Sequence, residues 1–80
     1  MALRLLFLGR LEDTAGAPER RVDAVDSLTE LLAGLEPELA SALRADRVRL
    51  AVNGALVADR STQFLNDGDE IAFLPPVSGG

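Results

Sequence analysis

The sequence predicts an α+β domain in which a mixed sheet of four to five strands is crossed by one main helix. Three observations favour this class. Apolar, strand-like runs lie near both ends of the chain, a helix with a capping signal lies between them, and an Asn-Gly turn separates two short alternating segments. Eighty residues are enough for one domain with one small core.

The first two strands are predicted to form an antiparallel hairpin. Residues 3–8 are an apolar run that is too short for a typical helix, and Gly9 ends it. Residues 10–17 are predicted to be a loop or turn, because the segment is polar, contains Gly16 and is followed by Pro18. Residues 19–25 follow as an edge strand, with Val22 flanked by charged residues. The core-facing residues of the first strand are Leu3, Leu5 and Phe7.

A capping box predicts where the main helix begins. The Ser27 side chain can accept a hydrogen bond from the backbone of Glu30, and Glu30 can reach back to Ser27. An apolar stripe follows at helical spacing, made of Leu28, Leu31, Leu32 and Leu35. We expect Gly34 to lie inside this helix, at a cost of up to about 1 kcal/mol relative to alanine. A second short helix is expected to begin at Pro37 and to carry Leu39, Ala42 and Leu43.

The second half of the chain completes the sheet. Residues 48–52 alternate with Val48, Leu50 and Val52 inward, and the Asn53-Gly54 turn returns residues 55–57 as a short strand. Residues 59–65 are irregular, with at most one helical turn, and residues 66–69 form a tight turn. Residues 70–74 form the last strand, with Ile71 and Phe73 inward. A β-grasp sheet accounts for this order, and in it the first and last strands are central, parallel neighbours.

The same register assigns apolar residues to the second face of the sheet. It places Leu6, Leu8, Ala51, Ala72 and Leu74 outward, with Arg4, Arg49 and Glu70 at the opposite end. Leu8 and Leu74 are expected to end at the same edge, beside the C-terminal tail. An apolar patch rimmed by charge is typical of a protein interface. Scattered surface leucines are the alternative.

Composition excludes several classes of function. The net charge of −5 argues against nucleic acid binding and suits a basic protein partner or a merely soluble surface. Without cysteine or histidine there can be no disulfide, no Cys/His metal site and no imidazole catalysis. No apolar run approaches the length of a membrane span, and no signal peptide is recognisable, so we expect a cytoplasmic protein.

The last six residues have the composition of a thin arm. Residues 1–74 are predicted to form the folded domain and residues 75–80 a tail that ends in Gly-Gly. Pro75 and Pro76 stop the sheet ladder, and six extended residues can reach about 20 Å. Because Gly79 and Gly80 have no side chains, the terminal carboxylate could pass down a narrow channel and be approached from either side. We expect this tail to be mobile beyond Pro76.

The segment 73–80, together with residues 51–54 and the turn from Asp67 onward, resembles the MoaD family, the small subunit of molybdopterin synthase. The resemblance implies a ubiquitin-like β-grasp fold and a sulfur carrier that is not an enzyme by itself. It implies that an E1-like adenylating enzyme (MoeB-like) uses ATP to activate Gly80, and that a persulfide donor converts it to a thiocarboxylate. That sulfur would pass to cyclic pyranopterin monophosphate in the large subunit (MoaE-like), with no cofactor bound by the small subunit.

The resemblance also implies an interface. Docking on the large subunit would use Leu8, Leu56 and Leu74, of which Leu56 rests on the resemblance alone. The tail residues inserted into the partner's active site would be Pro75, Pro76, Val77, Ser78, Gly79 and Gly80. The family often carries arginine at the position of Glu12, so the contact made there is in doubt, and Arg10 is a possible substitute.

Two other functions fit the same residues. The carrier chemistry could serve thiamine thiazole synthesis, although such carriers usually lack much of the segment 36–47. A non-covalent ubiquitin-like binding module would use the Leu6, Leu8 and Leu74 face and leave Gly80 idle. A self-contained enzyme is disfavoured, because the carboxylates at Glu12, Asp13, Asp67, Asp69 and Glu70 lie in predicted loops and turns.

Overall fold

A computed structural model of the chain describes residues 2–45, 47–60 and 63–75. It has one five-stranded sheet, in the order β2-β1-β5-β3-β4. The strands are β1 (Ala2–Phe7), β2 (Glu19–Asp23), β3 (Arg49–Val52), β4 (Ala55–Leu56) and β5 (Glu70–Leu74). The helices are α1 (Leu11–Ala15), α2 (Leu28–Ala33) and α3 (Pro37–Arg44).

The pairing of the central strands confirms the predicted topology. β1 and β5 are parallel neighbours in the middle of the sheet, with Leu5 opposite Ile71 and Phe7 opposite Phe73. β2 pairs antiparallel with β1, and β3 pairs antiparallel with β5 and with β4. The sheet is therefore mixed, with its C-terminal strand held on both sides, which fixes the position from which the tail departs.

The helix prediction at Ser27 is confirmed, but the helix ends earlier than expected. The backbone N–H of Glu30 donates to the Ser27 hydroxyl at 3.2 Å, which is the cap that the sequence predicts. Gly34 is the C-cap of α2 rather than an interior residue, so the prediction that it lies inside the helix is wrong. Leu35 stays buried even though it follows the helix. α3 begins at Pro37 as predicted, and it buries Ala40 where the sequence suggested Ala42.

The segment 10–17 is a second correction. The predicted loop contains α1, a helix of just over one turn that buries Leu11 and Ala15. These two residues are four apart, so they lie on one side of the turn and pack into the core. Gly16 ends the helix with φ of 82°, a left-handed cap that glycine adopts readily. Two apolar residues are too few to show helical periodicity in a sequence, which is why the element was missed.

The core lies between the sheet and the three helices. β1 contributes Leu3, Leu5 and Phe7, and β5 contributes Ile71 and Phe73, all of them nearly or fully buried as predicted. The rings of Phe7 and Phe73 are stacked with their centroids 5.7 Å apart. The helices cover this layer with the following leucines: Leu11, Leu28, Leu31, Leu32, Leu39 and Leu43.

The predicted outer strands are close to the observed ones. β2 ends at Asp23 and β4 at Leu56, slightly short of the predicted residues 25 and 57. Asn53 and Gly54 form the turn between β3 and β4 with φ of 52° and 85°, as an Asn-Gly hairpin requires. The predicted turn 66–69 is also present, with Asp69 N–H donating to the Asn66 carbonyl at 3.0 Å. None of the helices within the described ranges is long and apolar enough to cross a membrane.

Candidate functional site

The outer face of the sheet carries a continuous apolar row. The paired residues Leu6, Ala72, Ala51 and Leu56 follow one another across β1, β5, β3 and β4. Directly paired residues in neighbouring strands have side chains on the same face. Leu8 and Leu74 extend this row toward the end of β5. We call these six residues the apolar face: Leu6, Leu8, Ala51, Leu56, Ala72 and Leu74.

Two members of the apolar face are exposed leucines. Leu56 is 70% exposed and Leu8 is 42% exposed, whereas Leu6, Ala72 and Leu74 are half-buried. The backbone N–H of Leu8 donates to the Phe73 carbonyl at 3.1 Å, so Leu8 and Leu74 do end at the same edge. Exposed leucines on one face of a sheet, joined by a row of apolar residues, are typical of an interface.

Leu56 belongs to this face through the register of the β3–β4 hairpin. The two-residue loop at Asn53 and Gly54 makes Val52 pair with Ala55, and therefore Ala51 with Leu56. Reasoning from alternation alone missed Leu56, which only the family resemblance had indicated. The signal was nevertheless present, since a two-residue loop fixes the pairing of both strands.

Arg49 lies at the other end of the sheet from the one predicted. It is the pairing partner of Leu74, because β3 runs antiparallel to β5 and so begins where β5 ends. The exposed guanidinium of Arg49 is therefore close to the exit of the tail. Arg4 and Glu70 are where the sequence placed them, at the start of β5, and their side chains form an ion pair.

The first residue of the tail, Pro75, packs against Gly9. Gly9 follows β1 with φ of 57°, and a Cβ placed on it would lie 2.8 Å from Cγ of Pro75. That distance is shorter than a van der Waals contact, so the ring of Pro75 occupies the space that any other residue at position 9 would need. Pro75 is half-buried in this position. The predicted tail residues Pro76, Val77, Ser78, Gly79 and Gly80, and their predicted mobility, lie outside the described residues.

The end of the sheet opposite the tail is built from hydrogen-bonded turns. The Asn53 amide donates to Asp69 Oδ1 at 2.9 Å, and Asn53 Oδ1 accepts from the Glu70 N–H at 2.9 Å. Asp69 Oδ2 accepts from the Asn66 N–H at 2.8 Å, and the Ala2 N–H donates to Asp67 Oδ1 at 2.8 Å. The two segments that most resemble the MoaD family, besides the tail, thus bind each other and hold the sheet together.

The remaining candidate residues lie apart from a common site. Arg10 precedes α1 and Glu12 is in its first turn, and both are exposed. Of the carboxylates discussed in the sequence, Glu12 and Asp13 are in this helix, Asp67 and Asp69 are in the turn before β5, and Glu70 is the first residue of β5. Within the part of the chain that the structure describes, no three histidine, cysteine or carboxylate side chains gather closely enough to hold a metal ion.

One ion pair joins the sheet to the helical layer. Arg20 Nη1 donates to Glu36 Oε1 at 2.7 Å and Nη2 to Oε2 at 3.0 Å, which makes the pair bidentate. The hydrogen bond from Arg20 lowers the pKa of Glu36, and the bond to Glu36 raises the pKa of Arg20. This pair is on the helix side of the sheet and is separate from the apolar face.

Comparisons with known proteins agree with this geometry. Residues 5–80 match the model of the ThiS family. The chain is 34% identical to the molybdopterin synthase sulfur carrier subunit of Escherichia coli (strain K12) over 82 residues, covering 98% of this chain and 99% of that protein.

Solved structures show the same fold over the whole length. SAMP1 from Haloferax volcanii superimposes with a TM-score of 0.77 at 28% identity, covering 100% of both chains. A chain from the complex of subunits 1 and 2 of the molybdopterin-converting factor of Helicobacter pylori 26695 superimposes with a TM-score of 0.71 at 30% identity, again covering 100% of both chains. The ubiquitin-like β-grasp prediction is confirmed. Together with the full-length match to a sulfur carrier subunit, these likenesses confirm the MoaD resemblance seen in the sequence, and the chain belongs to the ThiS family.

Proposed function

We propose that this chain is the sulfur-carrier small subunit of a molybdopterin synthase. The observation that carries the proposal is the exit of the chain from β5. At that point the apolar face, with Leu8 and Leu74, adjoins Pro75, from which the tail continues to Gly79 and Gly80. The docking surface and the C-terminal tail therefore begin at the same edge of the sheet. The similarity to sulfur carrier subunits over nearly the whole chain supports the same role.

The folded domain contributes binding, and the C-terminus contributes the reactive group. The apolar face docks on the large subunit, where burying a leucine such as Leu56 contributes about 1.5–3 kcal/mol. The tail then carries Gly80 into the partner's active site. Because the last two residues lack side chains, the terminal carbonyl group can pass through a narrow opening. The pairing of the strands sets the distance between the docking contacts and the start of the tail.

The chemistry is supplied by partners. An E1-like adenylating enzyme transfers AMP from ATP to the Gly80 carboxylate and releases pyrophosphate. The outer sulfur of a persulfide donor then displaces AMP and forms an acyl disulfide. A thiol cleaves the S–S bond of this acyl disulfide, which leaves Gly80 as a thiocarboxylate and joins the thiol to the donor in a disulfide. In the large subunit this sulfur passes to cyclic pyranopterin monophosphate. The chain acts as a sulfur-donating subunit rather than as a catalyst by itself, which accords with its lack of histidine and cysteine.

Intact-mass analysis tests the proposal directly. Incubation with the adenylating enzyme, ATP and a sulfur source should add the mass difference between sulfur and oxygen to the chain. A variant lacking Gly79 and Gly80 is the control, and it should bind the large subunit but gain no mass. If the truncated variant still supported cofactor synthesis, the chain would be a non-covalent binding module and the carrier role would be wrong.

The ThiS family match keeps a second carrier role in view. The same tail could deliver sulfur to thiamine thiazole synthesis. The presence of α3 (Pro37–Arg44) favours the molybdopterin role, since the resemblance implies that thiazole carriers lack much of this segment. Restoring molybdoenzyme activity in a strain without the small subunit would separate the two, because a thiazole carrier should fail to do so.

A further inference from the structure

The contact between Gly9 and Pro75 joins the first strand to the start of the tail. Gly9 is the second residue after β1, and Pro75 directly follows β5. A Cβ on Gly9 would lie 2.8 Å from Cγ and 3.6 Å from Cδ of the Pro75 ring. The Pro75 ring thus packs directly against the backbone of Gly9.

Neither partner of this contact can easily move away. Just before Gly9, the Leu8 N–H is bonded to the Phe73 carbonyl at 3.1 Å. The Gly9 carbonyl accepts from the Glu12 N–H at 3.2 Å, which ties it to the first turn of α1. The Pro75 ring is closed onto its own backbone nitrogen, so Cγ cannot swing aside as the end of a long side chain would.

Other glycines of the chain show that this closeness is specific to Gly9. Gly16 and Gly54 have φ of 82° and 85°, and a Cβ on either would meet no atom within 4 Å. Those two glycines are explained by their backbone angle alone. Gly9 has a positive φ as well, but it also has a neighbour that fills the space of a side chain.

We propose that Gly9 is a positioning residue for the C-terminal tail, because the room it leaves for the Pro75 ring sets the direction in which the chain departs from the sheet. This inference rests on the proposed function, in which Gly80 must reach a reacting group in a partner. A side chain at position 9 would push Pro75 outward and misdirect the residues attached to it. Misplacement of a reacting group by about 1 Å can lower a rate by up to about 100-fold.

The contact itself can be measured without any partner. Gly9→Ala adds both backbone strain and the clash with Pro75, whereas Gly16→Ala adds backbone strain at a site with no neighbour. We expect the urea midpoint to fall clearly further for Gly9→Ala than for Gly16→Ala. In a Pro75→Ala background, which lacks the ring, the extra loss should disappear. Equal losses for the two glycines, or a loss that Pro75→Ala does not relieve, would overturn the contact.

The role of the contact is tested by the rate of sulfur loading, followed by intact mass with the adenylating enzyme, ATP and a sulfur source. For Gly9→Ala we expect the rate at saturation to fall about tenfold, with the half-saturating concentration of the chain unchanged, since the added Cβ lies against Pro75 and replaces no surface side chain. Gly16→Ala should load at the wild-type rate. A wild-type rate for Gly9→Ala would overturn the positioning role.

A second variant separates loss of folding from loss of positioning, and loading of the wild-type chain separates the positioning role from the proposed function. Gly9→Asn is the second variant, because asparagine tolerates positive φ, as Asn53 does at 52°, and still carries a Cβ. It should fold if Gly9→Ala does not, and it should load as slowly. If the wild-type chain itself gains no sulfur, the proposed function fails, while the urea comparison still decides whether the contact exists.

Discussion

At the end of the sheet where β5 begins, polar side chains form hydrogen bonds with one another, whereas at the end where β5 finishes, apolar side chains remain exposed or half-buried. The first end contains Asn53, Asp69 and Glu70, joined by hydrogen bonds of 2.9 Å. The second end contains Leu8 and Leu74, next to Pro75. Both ends belong to the same three central strands, so the difference does not come from strand type.

The comparison separates stability from function along one strand. Hydrogen bonds between turns hold β1, β3 and β5 together at the end where β5 begins, which we call the closed end. These polar groups bond to one another within the chain. At the tail end Leu8 is exposed and Leu74 is half-buried, and the apolar surface that they leave in water contributes little to the stability of the isolated chain. We therefore expect substitutions at the closed end to change unfolding, and substitutions on the apolar face to change binding.

The largest effect should come from Leu56→Asp. Losing a leucine that is buried only on docking, and placing a carboxylate there, should weaken binding to the large subunit about 10- to 100-fold. The control is Phe64→Asp, which removes an equally exposed apolar side chain, at 74%, from a position bridged to Ser27 and outside the apolar face. Calorimetric titration measures both. Equal weakening by the two variants would show that the apolar face is not the docking surface.

The second effect concerns the closed end. Asp69→Ala removes the acceptors of the Asn53 amide and the Asn66 N–H, at 2.9 and 2.8 Å. Two exposed hydrogen bonds contribute about 1–2 kcal/mol together, so the free energy of unfolding in urea should fall by that amount. Asp69→Asn keeps one acceptor oxygen and should fall less. Binding to the large subunit should be unchanged, and a loss of affinity without a loss of stability would contradict the division between the two ends.

A smaller effect is expected from the ion pair between Arg4 and Glu70. Both side chains are partly exposed, at 48% and 35%, and such pairs contribute about 0–1 kcal/mol. Arg4→Met should therefore lower the free energy of unfolding by no more than about 1 kcal/mol. Arg21→Met, at the residue that pairs with Arg4 on β2, is the matched control. A drop larger than that of Asp69→Ala would show that charge, rather than the turn network, holds this end.

The smallest effect should come from Glu36, which lies at neither end. Its folded-state pKa is lowered by the hydrogen bond from Arg20, so the stabilisation exists above the pKa of an unfolded glutamate. It is lost as the pH falls through the lower, folded-state pKa. The urea midpoints of wild type and Glu36→Gln should thus differ slightly at neutral pH and converge in acid. A difference that grew on acidification would have the wrong sign.

Much of the fold followed from local signals. The hydroxyl of Ser27, the proline at 37 and the Asn-Gly pair at 53 each act on a few neighbouring residues, and the structure has a helix start, a second helix start and a hairpin at these positions. α1 was missed because its packing depends on residues that are distant in the chain. Leu11 and Ala15 become helical where the core can accept them, and their own sequence shows too short a pattern.

The candidate site divides in the same way. Alternation within each strand was enough to place Leu6, Leu8, Ala72 and Leu74 on one face. The end of the sheet to which Arg49 belongs depends on the direction of β3 relative to β5, which alternation does not contain. The contact of Gly9 with Pro75 joins residues 66 positions apart, so no local signal could have shown it.

The sequence by itself determined the five strands, the starts of α2 and α3, the apolar composition of the outer face and the Gly-Gly terminus, because these depend on residues close together in the chain. Only the tertiary structure decided which residues meet at the tail exit. Strand order and direction are set by the packing of the whole core, and they bring Leu8, Gly9, Arg49, Leu74 and Pro75 together from three separate parts of the chain.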